Sequence, residues 1–126
     1  MEKKVLIVDD DKEMCMILGD ILEQHHFRVC FAYDGLQAIQ KTHEEKFDLI
    51  LLDVCMPIFS GYWFCNAFKN KPETHDVPVI IMSGLPAENN SEQARHLGAV
   101  AYMKKPVGIA SLLEVFAKAL GENAEN

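Results

Sequence analysis

Four short stretches of the 126-residue chain carry side chains that do chemistry together: the acidic run Asp9-Asp10-Asp11, the carboxylate Asp53, the hydroxyl of Ser83 and the ammonium of Lys105. Carboxylates crowded together repel one another and are costly to hold unless a cation neutralises them. A hard divalent ion is the natural counter-charge, and a small oxygen-only ligand set suits Mg²⁺ or Mn²⁺ rather than zinc. Mg²⁺ keeps several waters and recruits phosphate oxygens to complete its octahedron, so such a site is built to meet a phosphoryl group. Ser83 can then donate its hydroxyl to one phosphoryl oxygen while Lys105 places its ammonium on another. One carboxylate, Asp53, is left to act as nucleophile.

These stretches must meet, and the hydrophobic pattern between them says how. Lys4-Val5-Leu6-Ile7-Val8 is a continuous aliphatic run, the signature of a strand buried on both faces of a parallel sheet. Met14, Ile17, Leu18, Ile21 and Leu22 follow at helical spacing, with carboxylates at the start that suit the positive end of a helix dipole. A second strand is expected over Phe27 to Ala32, then a helical stripe of Leu36, Ile39, His43 and Phe47 entered through Asp34-Gly35. Asp48 to Leu52 reads as the third strand. A short third helix carries Phe64, Cys65 and Phe68 and closes at Lys71-Pro72. Pro78 to Met82 is the fourth strand, Asn90 with Gln93 offers a capping box for a fourth helix that stops at Gly98, and Val100 to Met103 is a short fifth strand. Ile109, Leu112, Leu113, Phe116 and Leu120 form the stripe of a last helix.

Strand and helix alternate five times, which requires a parallel sheet with right-handed crossovers and helices on both faces, an α/β three-layer sandwich. In such sheets the ligand site lies at the carboxyl ends of the strands, beside the point where strand order reverses. Every reactive residue follows a strand: Asp9 the first, Asp53 the third, Ser83 the fourth, Lys105 the fifth. If the first and third strands are neighbours, Asp9, Asp10 and Asp53 converge.

Composition excludes several classes. Hydrophobic residues at 49% and charged residues at 25% describe an ordinary globular domain. A net charge of −7, with no compensating Lys/Arg cluster, argues against direct nucleic-acid binding. The longest apolar run is far too short to cross a bilayer and no secretory signal opens the chain, so a cytoplasmic location is expected. Cys15, Cys30, Cys55 and Cys65 lack C-x-x-C spacing and read as reduced thiols, and the five scattered histidines suggest no zinc site.

From about residue 4 to 120, with a polar tail at 121–126, the chain resembles the CheY-like receiver domain of bacterial two-component response regulators. The resemblance rests on Asp9-Asp10 after Val5-Leu6-Ile7-Val8, on Leu51-Leu52-Asp53-Val54-Cys55-Met56-Pro57 with Gly61, on Ser83 after Val79-Ile80-Ile81-Met82, and on Tyr102-Met103-Lys104-Lys105-Pro106. It implies a flavodoxin-like, doubly wound fold with strand order 2-1-3-4-5 and five helices. It further implies that Asp53 accepts a phosphoryl group from a phosphohistidine on a histidine kinase or histidine phosphotransfer protein. Asp10, Asp53 and the backbone carbonyl of Cys55 would bind Mg²⁺ directly, and Asp9 through a water. Ser83 takes the hydroxyl switch position, Lys105 the lysine position and Tyr102 the aromatic switch. The face of the fourth helix, fifth strand and last helix would be the output surface. A cis Lys105-Pro106 bond is expected on the same ground. The downstream effector is not identified by these residues, nor is whether phosphorylation drives a homodimer.

Two positions depart from the family pattern. Cys55, two after Asp53, and Leu85, two after Ser83, cannot orient a hydrolytic water as an amide or carboxylate would, so slow self-dephosphorylation is expected. Three rivals stand beside this reading. A haloacid-dehalogenase-like phosphatase would use Asp9 as nucleophile with Asp11 as acid, but Lys12 stands where that family places Thr or Val. A flavin or dinucleotide carrier would be repelled by Asp9-Asp10-Asp11. A degenerate receiver acting only as an interaction module has no need of the complete acidic, hydroxyl and lysine set.

Overall fold

The aliphatic runs pair as a single sheet. Residues 2–53, 66–84 and 98–121 are described by the computed structural model. Strands β1 (Lys4–Val8), β2 (Arg28–Ala32), β3 (Leu49–Asp53), β4 (Val79–Ser83) and β5 (Ala101–Lys104) lie in the order β2-β1-β3-β4-β5. Every neighbouring pair is parallel. β3 and β4 are buried at every residue, as interior strands flanked on both faces must be, which accounts for their unbroken apolar sequences.

Helices α1 (Lys12–Gln24), α2 (Gly35–Glu44) and α3 (Ile109–Ala119) cover the sheet. One core packs Val5, Ile7, Leu49, Leu51, Ile80 and Met82 against Leu18 and Leu22 of α1 and Leu112 and Phe116 of α3. Alternate residues of the same strands, Leu6, Val8, Ile50, Leu52, Val79 and Ile81, face Ala38 of α2 and Phe68. Two cores on opposite faces make three layers, the flavodoxin-like α/β arrangement with the expected strand order. Among the described residues, no helix is long and apolar enough to cross a membrane.

Several details differ from the sequence-based expectation. β3 and β4 each run one residue further than the hydrophobic pattern suggests, because Asp53 pairs with Met82 and Ser83 with Lys104. Asp53 and Ser83 therefore end their strands rather than follow them. The buried face of α1 is Cys15, Leu18, Gly19 and Leu22, while Ile17 is 57% exposed. On α2, Gly35 and Ala38 are buried and Leu36 is 64% exposed. On α1 a small residue is needed at Gly19 because the helix sits close to β2 there: a Cβ at Gly19 would lie 2.6 Å from Cζ of Phe31. Of the expected third helix, residues 66–69 are helical, whereas Phe64 and Cys65 lie outside the described residues. The expected fourth helix at Asn90 lies outside them too, as do Cys55, Leu85 and residues 122–126. Cys15 and Cys30 are free thiols.

Candidate functional site

The acidic turn is built by the way β1 hands over to α1. The backbone N–H of Asp9 donates to the Ala32 carbonyl at 3.0 Å, so the residue after β1 still leans on the chain leaving β2. Asp11 is the N-cap of α1: in an extended conformation, it accepts the Met14 N–H at 3.0 Å and so satisfies one of the helix's unpaired donors. The Asp11 N–H in turn donates to Oδ1 of Asp9 at 3.0 Å. Asp10, between them, is exposed.

Because β1 and β3 are neighbours in the register Val8 with Leu52, the next residues, Asp9 and Asp53, stand side by side. Carboxylate oxygens of Asp9, Asp10 and Asp53 lie within 4.8 Å of one another. Lys105, just past β5, closes the cluster: its Nζ lies 2.7 Å from Oδ2 of Asp9 and 3.6 Å from Oδ2 of Asp53. Its backbone N–H donates to the Ser83 carbonyl at 2.8 Å, tying the ends of β4 and β5 together, and the Lys105-Pro106 bond is cis as expected. Asp9 and Ser83 are fully buried and Asp53 is 3% exposed, so these groups are shielded from bulk water.

Electrostatics follow from that burial. Burial alone would pull the Lys105 ammonium down, but the Asp9 hydrogen bond and the charges of Asp53 and Asp9 outweigh it, and its pKa stands above the ordinary lysine value. Beneath the turn, Cys15 is pushed up to about 12, first by burial and then by the carboxylates of Asp9 and Asp11. The thiol therefore stays protonated, and its Sγ donates to the Asp9 carbonyl at 3.6 Å.

The fold thus brings together Asp9, Asp10, Asp53 and Lys105, with Ser83 bonded through its backbone to Lys105. Tyr102 stands apart from the ion cluster, on β5 opposite Ile81, half-buried against the α2 core. Cys55 lies outside the described residues. The carboxylate set suits a hard divalent ion, being all oxygen and near enough to share one cation. Sequence reading missed the part played by Cys15, taking it only as a core thiol. The signal was its place in the first turns of α1, six residues after Asp9.

Comparison with known proteins shows the family. A family model described as the response regulator receiver domain matches residues 5–117. The polar-differentiation response regulator DivK of Brucella anthropi is 29% identical over 122 residues, which cover 97% of this chain and 99% of that protein. The transcriptional regulatory protein CpxR of Escherichia coli is 38% identical over 103 residues, 82% of this chain but only 43% of CpxR. A response regulator protein from Burkholderia pseudomallei, solved with a phosphorylated aspartic acid, calcium ion and citrate, superposes with a TM-score of 0.85 at 25% identity, covering 98% of this chain and 72% of that one. The chain belongs to the response regulator receiver domain family of two-component signalling.

Proposed function

We propose that Asp53 is the phosphoacceptor of this receiver domain, which occupies residues 4–120 and leaves 121–126 as a polar tail. The observation that carries the proposal is the ion cluster, three carboxylates within 4.8 Å with Lys105 Nζ at 2.7 and 3.6 Å from two of them. The donor is a phosphohistidine on a sensor histidine kinase or histidine phosphotransfer protein. A carboxylate oxygen of Asp53 attacks phosphorus, the bond from phosphorus to the imidazole nitrogen breaks, and an acyl phosphate is left on Asp53.

Asp10, Asp53 and the Cys55 carbonyl are the residues to hold Mg²⁺ or Mn²⁺, with Asp9 acting through water. When bound, the ion supplies charge neutralisation at the phosphoryl oxygens. Lys105 moves its ammonium from Asp9 toward one phosphoryl oxygen, and Ser83 donates its hydroxyl to another. Tyr102 then turns inward and remodels the surface made by the expected fourth helix, β5 and α3, the output face. Five helices complete the layers in this reading. The protein is a cytoplasmic signalling phosphoacceptor, its own chemistry limited to self-phosphorylation and slow self-hydrolysis, without direct nucleic-acid or membrane binding by this segment. Its effector, or a homodimer formed on phosphorylation, would engage the output face.

The phosphatase rival fares worse. It needs Asp9 free to attack, yet Asp9 is fully buried with Oδ1 on the Asp11 N–H and Oδ2 on Lys105, and Asp11 is committed as a helix cap. The discriminating experiment is hydrolysis of a simple aryl phosphate ester beside phosphotransfer from a phosphorylated histidine domain. Transfer lost in Asp53→Asn, with no ester turnover, is expected; ester turnover lost in Asp9→Asn but kept in Asp53→Asn would overturn the assignment.

A further inference from the structure

Asp9 is held at four points. Its backbone N–H donates to Ala32, its Oδ1 accepts from the Asp11 N–H, its Oδ2 meets Lys105, and its carbonyl oxygen accepts from the thiol of Cys15 at 3.6 Å. The first three come from the sheet, from the Asp11 cap and from the site's own lysine. The fourth comes from α1, and it joins the helix to the main chain immediately before Asp10. Cys15 is fully buried in the core between α1 and the sheet, so its sulfur cannot turn to solvent for another partner. Its own backbone N–H donates to the Asp11 carbonyl at 3.0 Å, which makes Cys15 the residue that closes the first helical turn onto the acidic run from both backbone and side chain.

We propose that Cys15 is a positioning residue for the acidic pair: its thiol, donating to the Asp9 carbonyl, fixes the peptide between Asp9 and Asp10 and so sets where both carboxylates present oxygen to a divalent ion. The inference rests on the metal-site reading proposed above. Main-chain orientation matters there because Asp10 is exposed and its carboxylate is aimed chiefly by the backbone that carries it. A sulfur donor is weak, and in a buried site that weakness is tolerable because the Asp9 carbonyl needs one partner rather than a strong one.

The test is titration of the intact chain with Mg²⁺ alone, by calorimetry, on the native protein and on Cys15→Ala, Cys15→Val and Cys15→Ser, with thermal unfolding of each measured without metal. Alanine removes the donor and leaves a small void; valine removes the donor and keeps the bulk; serine keeps a donor. If Cys15 positions the pair, alanine and valine both weaken Mg²⁺ binding, by roughly threefold to tenfold, at or below the usual effect of losing a group that orients a metal ligand. Serine stays within about twofold of native even where its thermal midpoint falls. If all three bind Mg²⁺ like the native chain and differ only in thermal midpoint, Cys15 is ordinary core packing and the proposal is overturned while the metal site stands. If the native chain itself binds no Mg²⁺, the metal-site reading fails and the inference fails with it.

Discussion

Asp53→Asn should make the protein more stable in the absence of metal, even though it removes the acceptor. Asp53 lies within 4.8 Å of Asp9 and of Asp10 through carboxylate oxygens, and 3.6 Å from Lys105. At an effective dielectric constant of about 20, the repulsion from buried Asp9 is at least about 3.5 kcal/mol and the attraction to Lys105 about 4.6 kcal/mol. Exposed Asp10 adds about 1 kcal/mol of repulsion at the dielectric constant of water. These pairwise terms nearly cancel. Beside them stands the cost of keeping a charge at a position 3% exposed, several kcal/mol after relaxation, which a neutral amide of the same shape does not bear. Lys105 keeps its shorter contact to Asp9, so the substitution strands no lysine. Allowing for an imperfectly bonded Asn, the net gain is about 2 kcal/mol, a rise in thermal midpoint of roughly 6–10 °C for a domain of this size. Urea unfolding in EDTA and again in millimolar Mg²⁺ checks it: the variant should be the more stable in EDTA, and the native chain should gain more from Mg²⁺. A variant less stable than native in EDTA would mean that the Lys105 attraction dominates and that the acidic cluster is not a strained site awaiting a cation.

Other consequences follow from the structure and the sequence. Gly19→Ala should destabilise: the helix gains about 1 kcal/mol in propensity but a methyl would meet Phe31 Cζ at 2.6 Å, and overpacking costs about 1–3 kcal/mol. The loss, read by thermal unfolding, should shrink in a Phe31→Leu background; an equal loss there would refute the contact. Stability should fall at alkaline pH. The Lys105 pKa is raised in the fold, so its contribution is complete below the unfolded value near 10.5 and lost as pH rises through the folded value, while Cys15 erodes stability between 9.0 and about 12. Urea unfolding at pH 8 and 10.5 should show the Cys15 part of that fall, smaller in Cys15→Ala; a flat profile in the native chain would contradict the Cys15 shift. Hydrolysis of the phosphorylated protein should be slow and faster in Leu85→Glu, measured by decay of the phosphorylated mass; no acceleration would remove Leu85 as the cause.

Much of this was legible in the residues. Unbroken aliphatic runs read correctly as interior strands because a parallel sheet buries both faces, and the reactive residues were found by asking what stood where those runs end. The helices were less legible. Large apolar residues at helical spacing found Leu18 and Leu22, which are buried, but also pointed to Ile17 and Leu36, both exposed, while Cys15, Gly19, Gly35 and Ala38 complete the faces that pack on the sheet. Close approach selects small side chains, and a pattern that weights bulk passes over them. The pairing of Lys105 with Asp9 across 96 positions is set by the order of the strands, and the thiol contact from Cys15 to Asp9 by how tightly α1 docks. Local sequence fixes neither distance.

Phosphoacceptance at Asp53 is read by intact mass after incubation with acetyl phosphate, with and without Mg²⁺, on the native chain and on Asp53→Asn. The native chain should gain one phosphoryl group in a Mg²⁺-dependent way and the variant none. The same gain on Asp53→Asn, or a gain indifferent to Mg²⁺, would contradict it.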